Sequence, residues 1–315
     1  MCSLHAPVII IPSPRRLTKV AIVPKMDALS LERQKKGHTY NVHKDREGPD
    51  KQKRPLSTSK PVTPRIFDVP NDSNYFPSGL VHCCVMRGDT GRGDGSAPSR
   101  LRTRYTFTFQ VGKQSVAMIA EKQPGTRFSQ YYIFDANRGG ASAKLSKKAG
   151  HYIGKLRREG TARAGYSLYD SKEERQQVAA FVYQAPSLVE QWRDGQPPRR
   201  MQLALPHNTG GDSSEVTQEQ CMVKIVAAAK ECDLGLRLFV TKKPSYEGGQ
   251  FRLNFGGRVT IPSVKNMQIE TADANEQGLI IAQFGKVGDG RFHLDYKAPL
   301  SAFQAFAMAL TQFDL

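Results

Sequence analysis

Beyond Ile66 the chain is patterned in short runs in which apolar and polar positions alternate. Over Arg104–Val111 (RYTFTFQV), Tyr105, Phe107 and Phe109 share one face, the period-two signature of a half-buried β-strand. Val81–Met86, Ser115–Ala120, Gln130–Phe134, His151–Arg157, Gly165–Tyr169 and Ala179–Gln184 are further strand-forming runs. Met201–Leu205, Leu236–Thr241, Gln250–Phe255, Leu279–Phe284 and Arg291–Tyr296 continue the series. Turn-forming residues separate them. One such cluster is Arg87–Gly95, whose Arg92-Gly93-Asp94 reads as turn chemistry rather than an adhesion motif. Many short strands divided by turns predict a barrel or a sandwich.

Two segments break this pattern. Glu215–Leu234, with Val223, Ile225, Val226 and a run of alanines, is predicted to be partly helical. Pro299–Phe313 (PLSAFQAFAMALTQF) places Pro299 where a helix can start, and its apolar residues go nearly all round the wheel. A helix of that kind is either buried or membrane-spanning, and this one is shorter than the roughly twenty apolar residues a bilayer needs. It is therefore predicted to be enclosed by protein, which leads to a β-barrel with a hydrophobic helix through its middle.

Residues 1–65 differ in kind. Rich in Lys, Arg, Pro and Ser and without a sustained period, they are predicted to form a disordered basic segment ahead of a barrel domain over 66–315. They hold 14 basic and 5 acidic residues, net +9, against 32 and 24, net +8, in the rest. The whole chain carries +17, a balance that favours a polyanionic partner. Met26–Lys36 has the character of a short helix, too short to be stable in water without a partner. Val8–Pro12 is too short for the apolar region of a signal peptide.

The five cysteines (Cys2, Cys83, Cys84, Cys221, Cys232) are odd in number and lack a metal-binding spacing, which fits a reduced intracellular protein. The seven histidines form no HExxH pair, and neither a Walker loop, a GxGxxG nor a G-x-S-x-G elbow is present. The expectation is a non-enzymatic protein with no cofactor and no metal.

Several motifs in order resemble the Tubby-like family. Asn254–Thr260 (NFGGRVT) and Ser263–Gln268 (SVKNMQ) look like its signature, and Gln283–Val287, Phe292–Tyr296 and Ala305–Leu310 continue it. Upstream, Tyr152–Arg157 (YIGKLR) and Pro198–Met201 (PRRM) also match, so the resemblance spans roughly residues 75–315. It implies a closed antiparallel barrel of twelve strands threaded by the C-terminal helix. Two departures stand out. The sequence stops at Asp314-Leu315, where the family continues through Lys-Leu-Ala-Cys-Glu, which predicts a less firmly anchored plug. The family's Lys/Arg-rich loop is reduced to Glu121–Arg127.

Lys155 and Arg157 lie two apart in a predicted strand, so they share a face and can bracket phosphates. Spacing alone favours an ordinary solvated face. The resemblance implies instead that these two are the family's head-group-binding Lys and Arg, that Arg175 is a third phosphate contact, and that Gln130 stands where an Asn hydrogen-bonds the ligand. The implied ligand is a phosphatidylinositol bisphosphate, most typically the 4,5 isomer. The implied function is a monomeric membrane adaptor, cytoplasmic and peripheral at the plasma membrane. Some members carry membrane cargo into cilia through an N-terminal segment that binds the intraflagellar transport machinery, a role for which residues 26–36 are the candidate. The alternative is a nucleic-acid-binding regulator with a nuclear pool, served by the basic tail. Against it, no basic strand interleaved with aromatics and no recognition helix is visible.

Overall fold

The computed structural model describes residues 8–11, 81–89, 103–111, 113–139, 145–148, 150–160, 164–171, 176–184, 198–206, 222–228, 236–248, 250–273 and 278–315. All of them belong to one compact unit, formed by residues 1–14 with 64–315. The strands among them are β1 (Val8–Ile11), β2 (Val81–Asp89), β3 (Thr103–Val111), β4 (Gln114–Lys122) and β5 (Gln130–Asp135). Next come β6 (Tyr152–Glu159), β7 (Gly165–Asp170), β8 (Gln177–Gln184), β9 (Arg200–Pro206) and β10 (Leu236–Thr241). The last are β11 (Ser245–Glu247), β12 (Gln250–Asn254), β13 (Met267–Thr271), β14 (Ile280–Gly288) and β15 (Arg291–Tyr296).

Twelve strands close a barrel in the order β2-β3-β4-β5-β6-β7-β8-β9-β10-β13-β14-β15, β15 returning to β2. Neighbours along the wall pair antiparallel, as in β3 with β4 and β6 with β7. Closure leaves none of these strands with an unpaired edge. The remaining three form a small sheet, β1-β12-β11. The barrel expected from the strand pattern and the enclosed helix, closed, antiparallel and twelve-stranded as the resemblance implied, is therefore the fold that forms.

The helix Ala302–Phe313 fills the barrel. All its residues except Gln304 and Phe313 are buried. It touches the wall on widely separated strands. Phe306 stacks on Phe107 of β3 at 5.2 Å, Phe313 meets Phe284 and Phe292 of β14 and β15, and Tyr183 of β8 bonds Thr311 and Gln312. Gly154 of β6 lets this happen at one point. A Cβ there would meet the Tyr169 carbonyl oxygen and lie 2.7 Å from Phe303 Cζ, so only glycine allows the helix so close to the wall.

The helix starts at Ala302 rather than at Pro299. Ser301 is the N-cap, accepting from the Gln304 backbone while Gln304 Oε1 accepts from the Ser301 backbone N–H. This reciprocal pair satisfies two otherwise orphaned donors, and it fixes the start more strongly than the proline does. The C-terminal end is also tied down, against the expectation of a loosely anchored plug. Asp314 accepts from Lys122 Nζ (2.6 Å), Tyr166 Oη (2.9 Å) and Tyr131 Oη (3.1 Å), and Lys265 Nζ donates to the Gln312 carbonyl at 2.7 Å.

Other differences from the sequence reading are local. Arg87, Gly88 and Asp89 extend β2 instead of opening the turn cluster, because β3 pairs with them through Tyr105, Arg104 and Thr103. The rest of that cluster lies outside the described residues. Within Glu215–Leu234 the described helix is Met222–Ala228, which packs Met222, Val223 and Val226 on Ala180, Val182 and Ala204, outside the barrel wall. Val8–Ile11, within the segment read as disordered, forms β1 against β12. The remainder of 1–65, including the helix candidate at 26–36, lies outside the described residues. Among the described residues no helix is long and apolar enough to cross a membrane.

The NFGGRVT stretch is structural. Gly256 and Gly257 take positive φ (56° and 81°), turning the chain so that Arg258 reaches the buried Asp295 of β15. Arg258 Nη2 and Nε donate to Asp295 Oδ1 and Oδ2 at 2.6 and 2.9 Å, Gln283 adds a bond at 2.8 Å, and His82 lies 3.0 Å away.

Candidate functional site

The outer face of β5, β6 and β7 gathers the basic residues singled out in the sequence. Lys155 and Arg157 both point away from the core, while Leu156 between them points inward and is fully buried. Strand register then fixes their neighbours. Tyr132 of β5 and Tyr169 of β7 flank Lys155, and Gln130 and Ser167 flank Arg157. Gln130, Lys155 and Arg157 thus meet on one patch. Arg175 lies outside the described residues.

Two of the site's groups come from outside the motif. The Tyr169 ring takes both cations, with Lys155 Nζ at 4.8 Å and the Arg157 guanidinium carbon at 5.3 Å from its centroid. Lys147, in the connection before β6, sits 4.8 Å over the Tyr132 ring. Such contacts are worth about 0.5–1 kcal/mol where exposed. Here their main effect is to hold flexible cations over a flat aromatic floor. The Tyr132 contribution was available in the sequence, two positions from Gln130 on the same face. Lys147 and Tyr169 carried no local signal, because only barrel closure and register bring them here.

Glu159 is the feature the sequence reading passed over. It lies two residues beyond Arg157 and so shares the outward face. Arg157 Nη2 is 3.0 Å from both Glu159 oxygens, Nε is 3.2 Å from Oε1, and Nη2 also donates to Tyr169 Oη at 3.1 Å. The Glu159 side chain is 13% exposed and that of Arg157 43%, so the carboxylate sits beneath a guanidinium open to solvent. The arrangement pre-orients Arg157 and also cancels part of its charge.

For an anionic ligand at this face, Glu159→Gln is expected to tighten binding by up to about fivefold, the scale of a partly exposed charge pair, about 0.2–1 kcal/mol. Folding stability should move by no more than about 0.5 kcal/mol. Titration of vesicles against both proteins checks this. Weaker binding by the Gln variant would mean that the carboxylate positions Arg157 for its ligand instead of competing with it.

Among the described residues no group of three His, Cys, Asp or Glu is placed to hold a metal ion. The patch offers fixed cations, amide and hydroxyl donors, and aromatic rings. Such a set suits recognition of a phosphorylated, polyhydroxylated anion, in which Arg takes a phosphate through its fork and Lys as a point charge.

Comparison with known proteins finds relatives along most of the chain. The chain is 32% identical over 256 residues to Protein king tubby 1 of Aedes aegypti, covering 76% of this chain and 57% of that protein. It is 29% identical over 255 residues to mouse Tubby-related protein 1, covering 76% and 44%. With Tubby protein homolog 1 of Caenorhabditis elegans the identity is 27% over 253 residues, covering 74% and 56%. The chain thus spans about half the length of these relatives. The Tub family profile matches residues 74–315, which include every barrel strand and the enclosed helix. This chain belongs to the Tub family.

Proposed function

We propose that the protein is a non-catalytic membrane adaptor that binds the head group of a phosphatidylinositol bisphosphate at the β5–β6–β7 face. The observation that carries the reading is the paired outward projection of Lys155 and Arg157 over Tyr169, with Gln130 directly across from Arg157. Two cations a strand repeat apart on a rigid wall can meet two phosphates on one ring, a geometry that a solvated charge run does not hold. In this reading the protein is peripheral at the cytoplasmic face of the plasma membrane, with Arg175 as a further phosphate contact. The basic N-terminal segment adds unspecific attraction to anionic lipid and, through residues 26–36, a link to the transport machinery of cilia.

Hydrogen bonds to charged groups contribute about 1.5–3 kcal/mol each. The double variant Lys155→Ala/Arg157→Ala is therefore expected to bind vesicles containing the bisphosphate roughly a hundredfold more weakly or worse. Its thermal midpoint should stay close to that of the parent, since both side chains lie outside the core. Vesicle co-sedimentation alongside thermal denaturation makes the test. Unchanged sedimentation of a folded double variant would remove the assignment.

A further inference from the structure

A second basic feature lies elsewhere on the molecule. A cavity of about 320 Å³ opens between the end of β10, the small sheet and the last turn of the enclosed helix. Arg199, Arg200, Lys242 and Lys243 line it, and no carboxylate does among the described residues. Its remaining wall is largely apolar: Tyr246, Phe251, Leu253, Val264 and Met267. Phe251 and Leu253 are buried, and Tyr246 and Val264 are each 45% exposed at its mouth.

This composition differs from that of the β5–β6–β7 face, where Glu159 answers Arg157. Arginine and lysine residues around one concavity, with no lining carboxylate among the described residues, give it a positive potential that attracts an anion. Lys265, between the lining residues Val264 and Asn266, has its ammonium held below the usual lysine range, first by burial and then by Arg199 and Arg87. Apolar walls with cations at the edge suit a molecule of two parts, an acidic head and a hydrocarbon body. The volume stands at the low end for ligand pockets, so the body is small.

We infer that this cavity binds a small amphiphilic anion, a phosphate or carboxylate on a short chain or a single ring. The site is independent of the head-group reading and shares no residue with it. Calorimetric titration of the full chain tests it with octyl phosphate, phenyl phosphate, 1-octanol and inorganic phosphate. Octyl phosphate, or phenyl phosphate if the natural body is a ring, is expected to bind with one-to-one stoichiometry at least tenfold tighter than inorganic phosphate or octanol. Lys242→Ala/Lys243→Ala should weaken that binding at least tenfold at an unchanged thermal midpoint, while Lys155→Ala/Arg157→Ala leaves it intact. The inference is overturned if neither organic phosphate binds tighter than inorganic phosphate. Loss of binding in the Lys155/Arg157 variant rather than the Lys242/Lys243 variant would overturn it equally.

Discussion

Phe306→Ala is expected to cost the fold about 3–5 kcal/mol, the range for removing a buried aromatic ring. Phe306 is wholly buried at the centre of the enclosed helix and stacks on Phe107 of the opposing wall. The void cannot collapse easily, because the barrel around it is closed by hydrogen bonds on every side. Set against a typical 5–15 kcal/mol, this is a large share of total stability. For a domain of this size each kcal/mol moves the midpoint by about 2–4 °C, so a fall of about 6–20 °C is expected, or insoluble protein. Leu279→Ala, at a site 45% exposed, should shift it by far less. A soluble Phe306→Ala protein melting within about 2 °C of the parent would contradict an enclosed helix.

The second large effect concerns the ion pair behind the NFGGRVT turn. The Asp295 side chain is 1% exposed and that of Arg258 32%, with two hydrogen bonds between them. Breaking such a pair from one side leaves a charge without its partner at a cost of about 3–5 kcal/mol. Arg258→Ala, which strands the buried Asp295 carboxylate, should therefore destabilise about as strongly as the plug variant.

Acid is expected to do the same reversibly. Burial works to raise the Asp295 carboxyl, but bonds from Arg258, Gln283 and His82 outweigh it and hold it below the ordinary aspartate value. Asp314 behaves likewise, its burial outweighed by Lys122, Ser129 and Tyr166. A carboxyl depressed in the folded state contributes stability that is complete above the unfolded value, near 4, and is lost as pH falls through the folded value. The thermal midpoint should accordingly show no loss from these two groups between pH 7 and 5 and drop steeply below about pH 4. In Asp295→Asn that acid-dependent loss should shrink, from a lower starting midpoint. A parent protein that keeps its midpoint down to pH 3 would contradict these roles.

Legibility of the fold followed burial. β3 reads clearly because Tyr105, Phe107 and Phe109 face the core while their neighbours face outward. The plug helix reads clearly because it has no solvent face. β13 does not alternate: Gln268 is covered and bonded to the Asn254 carbonyl and to Gln283, so both faces of Met267–Thr271 are largely buried. β11, at three residues, has no room for a pattern. At the candidate site the same-face rule reached Lys155 and Arg157 and, carried two residues on, leads to Glu159. Tyr169 and Lys147 come from a neighbouring strand and a connection, and no spacing along the chain could pair them with Lys155.

The central claim is that the barrel wall, not the net charge of +17, reads the lipid. Unspecific attraction of lysines and arginines to an anionic surface is worth around 1 kcal/mol per cation, without distinguishing head groups, and salt screens that gain within about 8–10 Å. A fixed face requires phosphates at set positions. The direct measurement is co-sedimentation of the protein lacking residues 15–63, which keeps β1 beside β12, and separately of residues 15–63, at two ionic strengths. Vesicles carry either phosphatidylinositol 4,5-bisphosphate or an equal charge density of phosphatidylserine. The account predicts that the protein lacking 15–63 prefers the bisphosphate and keeps that preference at the higher salt, while 15–63 shows none and releases. Selectivity that travels with 15–63, or that neither piece shows, would contradict it and favour the nucleic-acid reading instead.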